Sequence, residues 1–376
     1  MKKRIVFVNQ SSGYLMIDII HEHLKQYDEI ILLTGNLNER NKQLSPHVKV
    51  HYLTTYKRNS TIKRLITWLL FTMQCWFLLI HRYRKAAIYW VSNPPFTIFL
   101  ARIFMNRKYA CLVYDVYPDI LVRHGILSEN NRMVRFWAKI NKQVWNNSDK
   151  LITISDSMRN LMGKTIAQSK VDVVPVWTDN SFLKPLPKNK NPFVKKYNLD
   201  DKFVVMYSGN LGVSHPLEVI INVAENLQHT SIIFLIIGDG AKKEQLKQLV
   251  THKKLQNVKF LPFQPTENLP YSLSSADLGI VTLGKEAANL SVPSKTYNLM
   301  SVGVPILVLA EPESEVVQLI QKHQNGYFFK PDQIEKISNA IKNLSNNKQE
   351  QEKLKEASIK ASKLYTPDNA KLMVLE

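Results

Sequence analysis

The feature that most constrains the fold is an alternation: short runs of β-branched and aromatic residues are each followed by a longer stretch with helical periodicity, from one end of the chain to the other. That pattern predicts parallel sheets whose strands are joined by crossover helices. Two series are visible. The first holds "RIVFVN" (4–9), "EIILLTG" (29–35), "VKVHYL" (48–53), "AAIYWVS" (86–92), "YACLVYD" (109–115) and "KLITIS" (150–155). The second holds "FVVMYSG" (203–209), "SIIFLIIG" (231–238), "VKFLPF" (258–263), "DLGIVTL" (277–283) and "PILVLA" (305–310). Between them "FLKPLPKNKNPF" (182–193), with three prolines and three lysines, reads as an interdomain linker. The expectation is an α/β domain over 1–183, a linker over 184–200 and a second α/β domain over 201–364, with a cleft between two open sheets.

The 376 residues, 45% of them hydrophobic, are enough to bury a full core in each domain. Lys+Arg 50 against Asp+Glu 31 leaves +19, which favours an anionic partner: nucleic acid, an acidic membrane face or a phosphorylated ligand. Only Cys75 and Cys111 are present, too few for a disulfide framework or a cysteine-built metal site, so a reducing, cytoplasmic compartment is expected. The apolar run Ile5 to Val8 is interrupted by Asn9 and Gln10, which suits a first strand better than a signal peptide. The longest apolar segment, "LITWLLFTMQCWFLLI" (65–80), falls short of the roughly 20 residues of a spanning helix.

In open parallel sheets ligands sit beyond the carboxyl ends of the strands, so the loops there are the candidates for chemistry. "SGNLGVSHPLEV" offers Gly209 and Gly212 for backbone freedom, Ser214 or His215 as a helix cap and Pro216 for the first helical position, an amino terminus open to phosphate or an ordinary tight turn. "IIGDGAKKEQL" carries Gly238 and Gly240 around Asp239, but Lys243 stands where the third glycine of a dinucleotide fingerprint would fall. At least one of Lys242 and Lys243 is expected on a solvated helix face. In "SVPSKTYNLMSVGVPIL" (291–307) Ser294 can cap a helix whose first turn holds Lys295 and which ends at Gly303. A cation there opposes the helix dipole, at a cost of a few tenths to about 1 kcal/mol, unless an anion offsets it.

The blocks "YSGNLG", "IIGDGAKKEQL", "NVKFLPF", "SSADLGIVTL" and "SVPSKTYNLMSVGVPIL", in this order, resemble the nucleotide-binding half of family 4 glycosyltransferases, and "YDVYPDI", "KLITISDSM" and "VDVVPVWTD" are similar to the first half of its capsule and O-antigen branch. The resemblance implies the GT-B fold, two facing Rossmann-like domains, with residues 365–376 forming a last helix that packs on the first. It implies transfer of a sugar from a nucleotide diphosphate donor, a UDP-sugar by default, with retention and without a bound metal ion or other cofactor. By position the donor would be held by Gly209, Asn210, Gly212, His215, Gly238, Gly240, Phe263, Ser294, Lys295 and Asn298, with Gly13 approaching from the first domain. Lys295 and, on the acceptor side, Asp115 are the expected catalytic residues. Asp119 reads better as a helix cap.

The sequence departs from the family where glutamates are usual: Asn298 can still bond a ribose hydroxyl, whereas Leu290 cannot. Tyr114 stands where a histidine often precedes Asp115, and only His215 replaces an Arg-Lys pair after the glycine turn, leaving Lys295 a large share of the charge.

Residues 65–80, bracketed by Lys63, Arg64, Arg82, Arg84 and Lys85, have the look of an interfacial helix or of a helix buried on the first sheet. The interfacial reading implies a peripheral protein at the inner face of the cytoplasmic membrane with a polyprenyl-diphosphate-linked saccharide as acceptor. Rivals are a GT-B sugar-nucleotide epimerase, a degenerate GT-B protein that binds membranes or partners, and a nucleic-acid-binding protein; no recognised module supports the last.

Overall fold

The computed structural model of the chain describes residues 2–39, 41–57, 60–123, 125–213, 215–284 and 292–376. The chain divides into two compact units, residues 1–176 with 367–376, and residues 177–366. Each is an α/β unit built on one main parallel sheet.

The first sheet contains β1 (Arg4–Val8), β2 (Glu29–Thr34), β3 (Val48–Tyr52), β4 (Ala87–Val91), β5 (Tyr109–Val113), β6 (Lys150–Thr153) and β7 (Asp172–Val173), in the order β3-β2-β1-β4-β5-β6-β7. β1 is central, with Val6 opposite Ile31 on one side and Ile88 on the other. Ile5, Val6, Phe7 and Val8 are fully buried, which is why this strand reads as a continuous apolar run: helices cover both faces of a parallel sheet. The order reverses between β1 and β4. A two-residue parallel ladder, Ser11–Ser12 with Asn36–Leu37, tightens the loop after β1.

The last ten residues, in 3₁₀ turns over Pro367–Met373, belong to this unit. The Tyr27 hydroxyl donates to the Leu375 carbonyl and the Tyr89 hydroxyl to that of Met373, both at 3.0 Å. His23 Nε2 accepts from the Leu375 amide at 3.0 Å, which leaves Nδ1 to donate to the Ile19 carbonyl at 2.7 Å. Burial pushes the His23 imidazole down to about 4, so it works as a neutral bridge.

The second sheet contains β8 (Phe203–Ser208), β9 (Ile232–Ile237), β10 (Val258–Leu261), β11 (Leu278–Thr282), β12 (Ile306–Leu309) and β13 (Gly326–Phe329), in the order β10-β9-β8-β11-β12-β13. This is the same doubly wound sequence, with the reversal between β8 and β11. Its core gathers Val205, Tyr207, Phe234, Ile236, Ile280 and Leu307 with the inner faces of the helices Glu218–Asn226 and Ile334–Ser345. β7 and β13, at the sheet edges, are too short for an alternation to announce them.

The expected linker is a correction. Residues 184–200 are packed onto the second unit: Pro192–Tyr197 forms a helix capped by Asn191, Phe193, Val194 and Leu199 are buried, and Lys188 pairs with Asp277 at 2.5 Å. The prolines mark turns around small anchoring contacts. The Asn191 amide donates to the Tyr271 carbonyl and the Ser274 hydroxyl to that of Lys184.

Candidate functional site

The site is built at the carboxyl ends of β8 and β11, beside the strand-order reversal of the second sheet, where loops diverge and leave backbone groups open to a ligand. Three main-chain hydrogen bonds zip the loop after β8 to its neighbour after β9, and a fourth ties the latter to the end of β10. Gly209 N donates to Ile237 O at 2.9 Å, Leu211 N to Asp239 O at 2.8 Å, Lys242 N to Leu211 O at 3.0 Å, and Gly238 N to Leu261 O at 3.0 Å. The approach is so close that a Cβ on Gly238 would lie 1.9 Å from the Gly209 carbonyl oxygen, and one on Gly240 would lie 2.6 Å from that of Leu211. Both have φ of +151°. Their glycine requirement is therefore internal, whatever else they touch.

Gly209 has a different reason. A Cβ there would sit 2.6 Å from Lys295 Nζ. Lys295 opens the helix Lys295–Ser301, and its ammonium lies 3.9 Å from the centre of the Tyr207 ring. Burial pushes its pKa down from 10.5 to about 8, and among the described residues it has no carboxylate partner. Such a drop amounts to roughly 3 kcal/mol against the charged form. The ring face returns part of this as a cation–π contact. Tyr207 is itself fixed: its hydroxyl donates to the Asn210 carbonyl at 2.8 Å, and burial pushes its pKa up to about 12.

His215 completes the cluster. Its Nδ1 is 3.2 Å from the Thr282 carbonyl and 3.1 Å from the Thr282 hydroxyl, so Nδ1 carries the proton and Nε2 is the unprotonated nitrogen. Burial first, and the Lys295 charge second, lower its pKa. The expected helix start at Pro216 is not found. Instead His215 N donates to Gly212 O at 3.2 Å and Leu217 N to His215 O at 2.9 Å, the His215 ring is anchored on β11, and the helix begins at Glu218 with Leu217 at the cap position. Ser214 lies outside the described residues.

Neither Lys242 nor Lys243 is left to solvent. Lys242 donates to the His215 carbonyl at 2.8 Å and pairs with Glu218 at 2.9 Å, and Lys243 pairs with Asp239 at 3.0 Å.

Two other expected contacts are altered. Ser294 occupies the cap position, but its φ of −57° and ψ of −25° are already helical and its hydroxyl makes no cap bond; capping side chains reach back from an extended residue. Asn298, expected on a ribose, has its Oδ1 accepting from the Thr178 hydroxyl at 2.7 Å. Its amide hydrogens are the donors it can offer a ribose hydroxyl. Phe263, after β10, is 55% exposed, and Asn210 is exposed in the zipped loop. Leu290 lies outside the described residues. Tyr207, Thr282 and Thr178 were not legible as site residues, since each reads as strand or connecting chain.

In the first unit Asp115 follows β5, where the Ser92 hydroxyl accepts from the amides of Tyr114 and Asp115 at 2.9 and 3.2 Å. Asp115 lines a cavity of about 30 Å³ together with Trp90, Thr97, Tyr117, Trp137 and Asn141. The surrounding rings strip water and push its pKa above the usual carboxylate value. Asp119 opens the short helix Asp119–Arg123. Gly13 precedes the helix Tyr14–His23 with φ of −139°, and a Cβ on it would meet only the Asn38 carbonyl, at 3.9 Å. Nothing inside the unit demands a glycine there.

Residues 189–361, which carry this cluster, match the sequence model of the family Glycosyl transferases group 1. That match spans the whole of the second sheet, from β8 to β13. The chain is 25% identical over 240 residues to WbjE of Pseudomonas aeruginosa, named a probable glycosyltransferase; the alignment covers 63% of this chain and 60% of WbjE, less than two thirds of that relative. It is 28% identical over 276 residues, 70% of this chain and 68% of the relative, to WcaI of Escherichia coli K12, which is named for glycosyl transfer in colanic acid biosynthesis. The solved structure of Anabaena HepE in complex with UDP superposes with a TM-score of 0.74 over 98% of both chains at 16% identity. At that identity the likeness is one of fold.

Proposed function

We propose that this glycosyltransferase moves a sugar from a nucleoside diphosphate donor, a UDP-sugar, to a hydroxyl of a lipid-linked saccharide in the assembly of a surface polysaccharide. The observation that carries the reading is Lys295. An ammonium that is buried, cushioned on an aromatic ring and without a carboxylate partner among the described residues is costly unless a ligand brings the missing charge. A diphosphate does so, and the absent side chain of Gly209 leaves room beside Nζ for its oxygens.

When the bond from the anomeric carbon to the phosphate oxygen breaks, the electron pair goes to the diphosphate. Lys295 then holds charge that is larger in the transition state than in the bound donor. His215 Nε2 supplies a further donor once protonated beside the diphosphate. On the acceptor side Asp115, with its raised pKa, orients the attacking hydroxyl and accepts its proton. Retention follows the resemblance carried by "VPSKTYN". UDP is favoured by HepE, and a polysaccharide product by the name of WcaI. A lipid-linked acceptor, met at the inner face of the cytoplasmic membrane, suits the apolar and basic surface of the first unit.

A thermal-shift panel of UDP, GDP, TDP, ADP and CMP, run on the protein and on Lys295→Ala, tests the reading. UDP is expected to stabilise the parent and not the variant. A folded parent that responds to none of the five overturns it.

A further inference from the structure

We propose that the first unit docks on bilayers containing anionic phospholipid, with the outer face of the helix Thr61–His81 in the acyl boundary and a basic pocket at that helix's carboxyl end taking lipid phosphates. The inference deepens the membrane part of the function proposed above and is independent of the donor.

The helix is 21 residues long and apolar enough to cross a membrane, yet it cannot leave the unit. Trp68, Phe71, Cys75 and Leu79 are buried against the unit, and Gln10 Nε2 donates to the Thr67 carbonyl at 3.0 Å. Only a third of its most apolar stretch is buried. The outer face presents Ile66, Leu69, Leu70, Met73, Trp76 and Phe77, with Leu69 at 54% and Phe77 at 56% exposure. A helix with one face fixed on its protein and the other a wide apolar ridge lies in an interface plane. From the buried Trp68 a run of ring contacts leads back to the surface: Trp68 meets Phe96 edge-on, Phe96 meets Phe99 at a tilt, and Phe99 stacks on Phe136, which is exposed.

Where the helix ends, Ile80 and Ile103 line a pocket of about 1020 Å³ at the amino ends of β1, β4 and β5, opposite the strand ends that hold Asp115. Seven of its lining residues are Lys or Arg, against one acid, Glu376. Arg4 is paired with Glu29, and Arg107 is fixed by the Tyr83 and Leu79 carbonyls. Lys2, Lys3, Lys85 and Lys108 form no ion pair among the described residues. Apolar ridge and basic pocket share one edge, the arrangement that a bilayer with phosphate headgroups complements.

The charge argues for lipid over a second copy. Residues 40–114 contain 13 Lys and Arg and no Asp or Glu. A two-fold interface on this face would set the same basic surface against itself.

Co-sedimentation of the full chain with vesicles of phosphatidylcholine alone, or mixed with phosphatidylglycerol, tests the proposal. Two exposed-site double variants accompany the parent: Leu69→Asp with Trp76→Asp, and Lys85→Glu with Lys108→Glu. Circular dichroism confirms that each is folded. The parent is expected to bind the anionic vesicles and to release with salt. Removing basic charge is expected to weaken binding about fivefold per lysine, hence about 25-fold or more for the pair, and the ridge variant is expected to lose binding. The proposal falls if the folded parent ignores both vesicles, if the lysine variant binds as the parent does, or if the ridge variant still binds. It falls too if the ridge proves to hold a dimer that the ridge variant dissolves, or if the protein binds inorganic phosphate and no vesicle. A UDP thermal shift on the same samples reports on the donor separately, so either reading can fail alone.

Discussion

At the scale of single residues, Lys295 makes a sharp prediction because its protonation and its ligand are linked. With its pKa at about 8, the free protein holds an increasing fraction of neutral amine as pH rises through 8. A bound diphosphate favours the ammonium, so binding takes up a proton above that pH. UDP affinity is expected to be flat below about pH 7.5 and to fall toward tenfold per pH unit above 8, with calorimetry in two buffers of different ionisation enthalpy reporting the proton uptake. The same shift makes Lys295 unfavourable for the empty fold at neutral pH. The unfolded chain binds more protons between 8 and 10.5, so Lys295→Met is expected to raise the melting temperature while weakening UDP binding 10- to 100-fold, the loss of one charge-assisted bond. A merely structural lysine would give the opposite sign on stability. Gly209 belongs to the same argument. Gly209→Ala puts a methyl 2.6 Å from Nζ at a φ of +151°, and is expected to cost UDP affinity at least tenfold by equilibrium titration.

At the scale of elements, the two glycine loops divide into a support and a surface. Gly238 is needed because the Gly209 carbonyl occupies its Cβ position, so Gly238→Ala is expected to lower the melting temperature by several degrees before any ligand is added. Gly13→Ala has room and an ordinary backbone, and is expected to leave the melting temperature unchanged; a drop in turnover alone would show that a substrate passes close to it. Most strands and the parallel α/β class were legible in the sequence because burial on both faces leaves long apolar runs, and Lys295 stood out as a candidate because a cation at a helix start is conspicuous. What was not legible depends on pairing across the fold. Nothing near Asn298 in sequence announces Thr178, 120 residues away, and nothing in a proline- and lysine-rich stretch announces that Asp277 will hold Lys188. The cap at Ser294 failed for a local reason, a turn beginning one residue early, with the Thr296 amide already on the Pro293 carbonyl.

At the scale of the whole molecule, the chain starts the first unit, builds the second, and returns to the first with residues 367–376. That return is held by a histidine that must stay neutral. The folded His23 has a pKa of about 4 against 6.5 unfolded, so its contribution is complete above about pH 6.5 and fades as pH falls toward 4, a span equivalent to roughly 3 kcal/mol. Ala370, Met373, Val374 and Leu375 add buried apolar surface to the same clasp, of order 5 kcal/mol together. Truncation after Thr366 is therefore expected to lower the melting of the first unit by about 10–20 °C. Scanning calorimetry separates this from the donor site. UDP is expected to raise only the transition of the second unit, whereas truncation is expected to move only the first. If truncation leaves both transitions in place, the His23 clasp carries little of the fold; if UDP moves the first transition alone, the diphosphate is not held by Lys295.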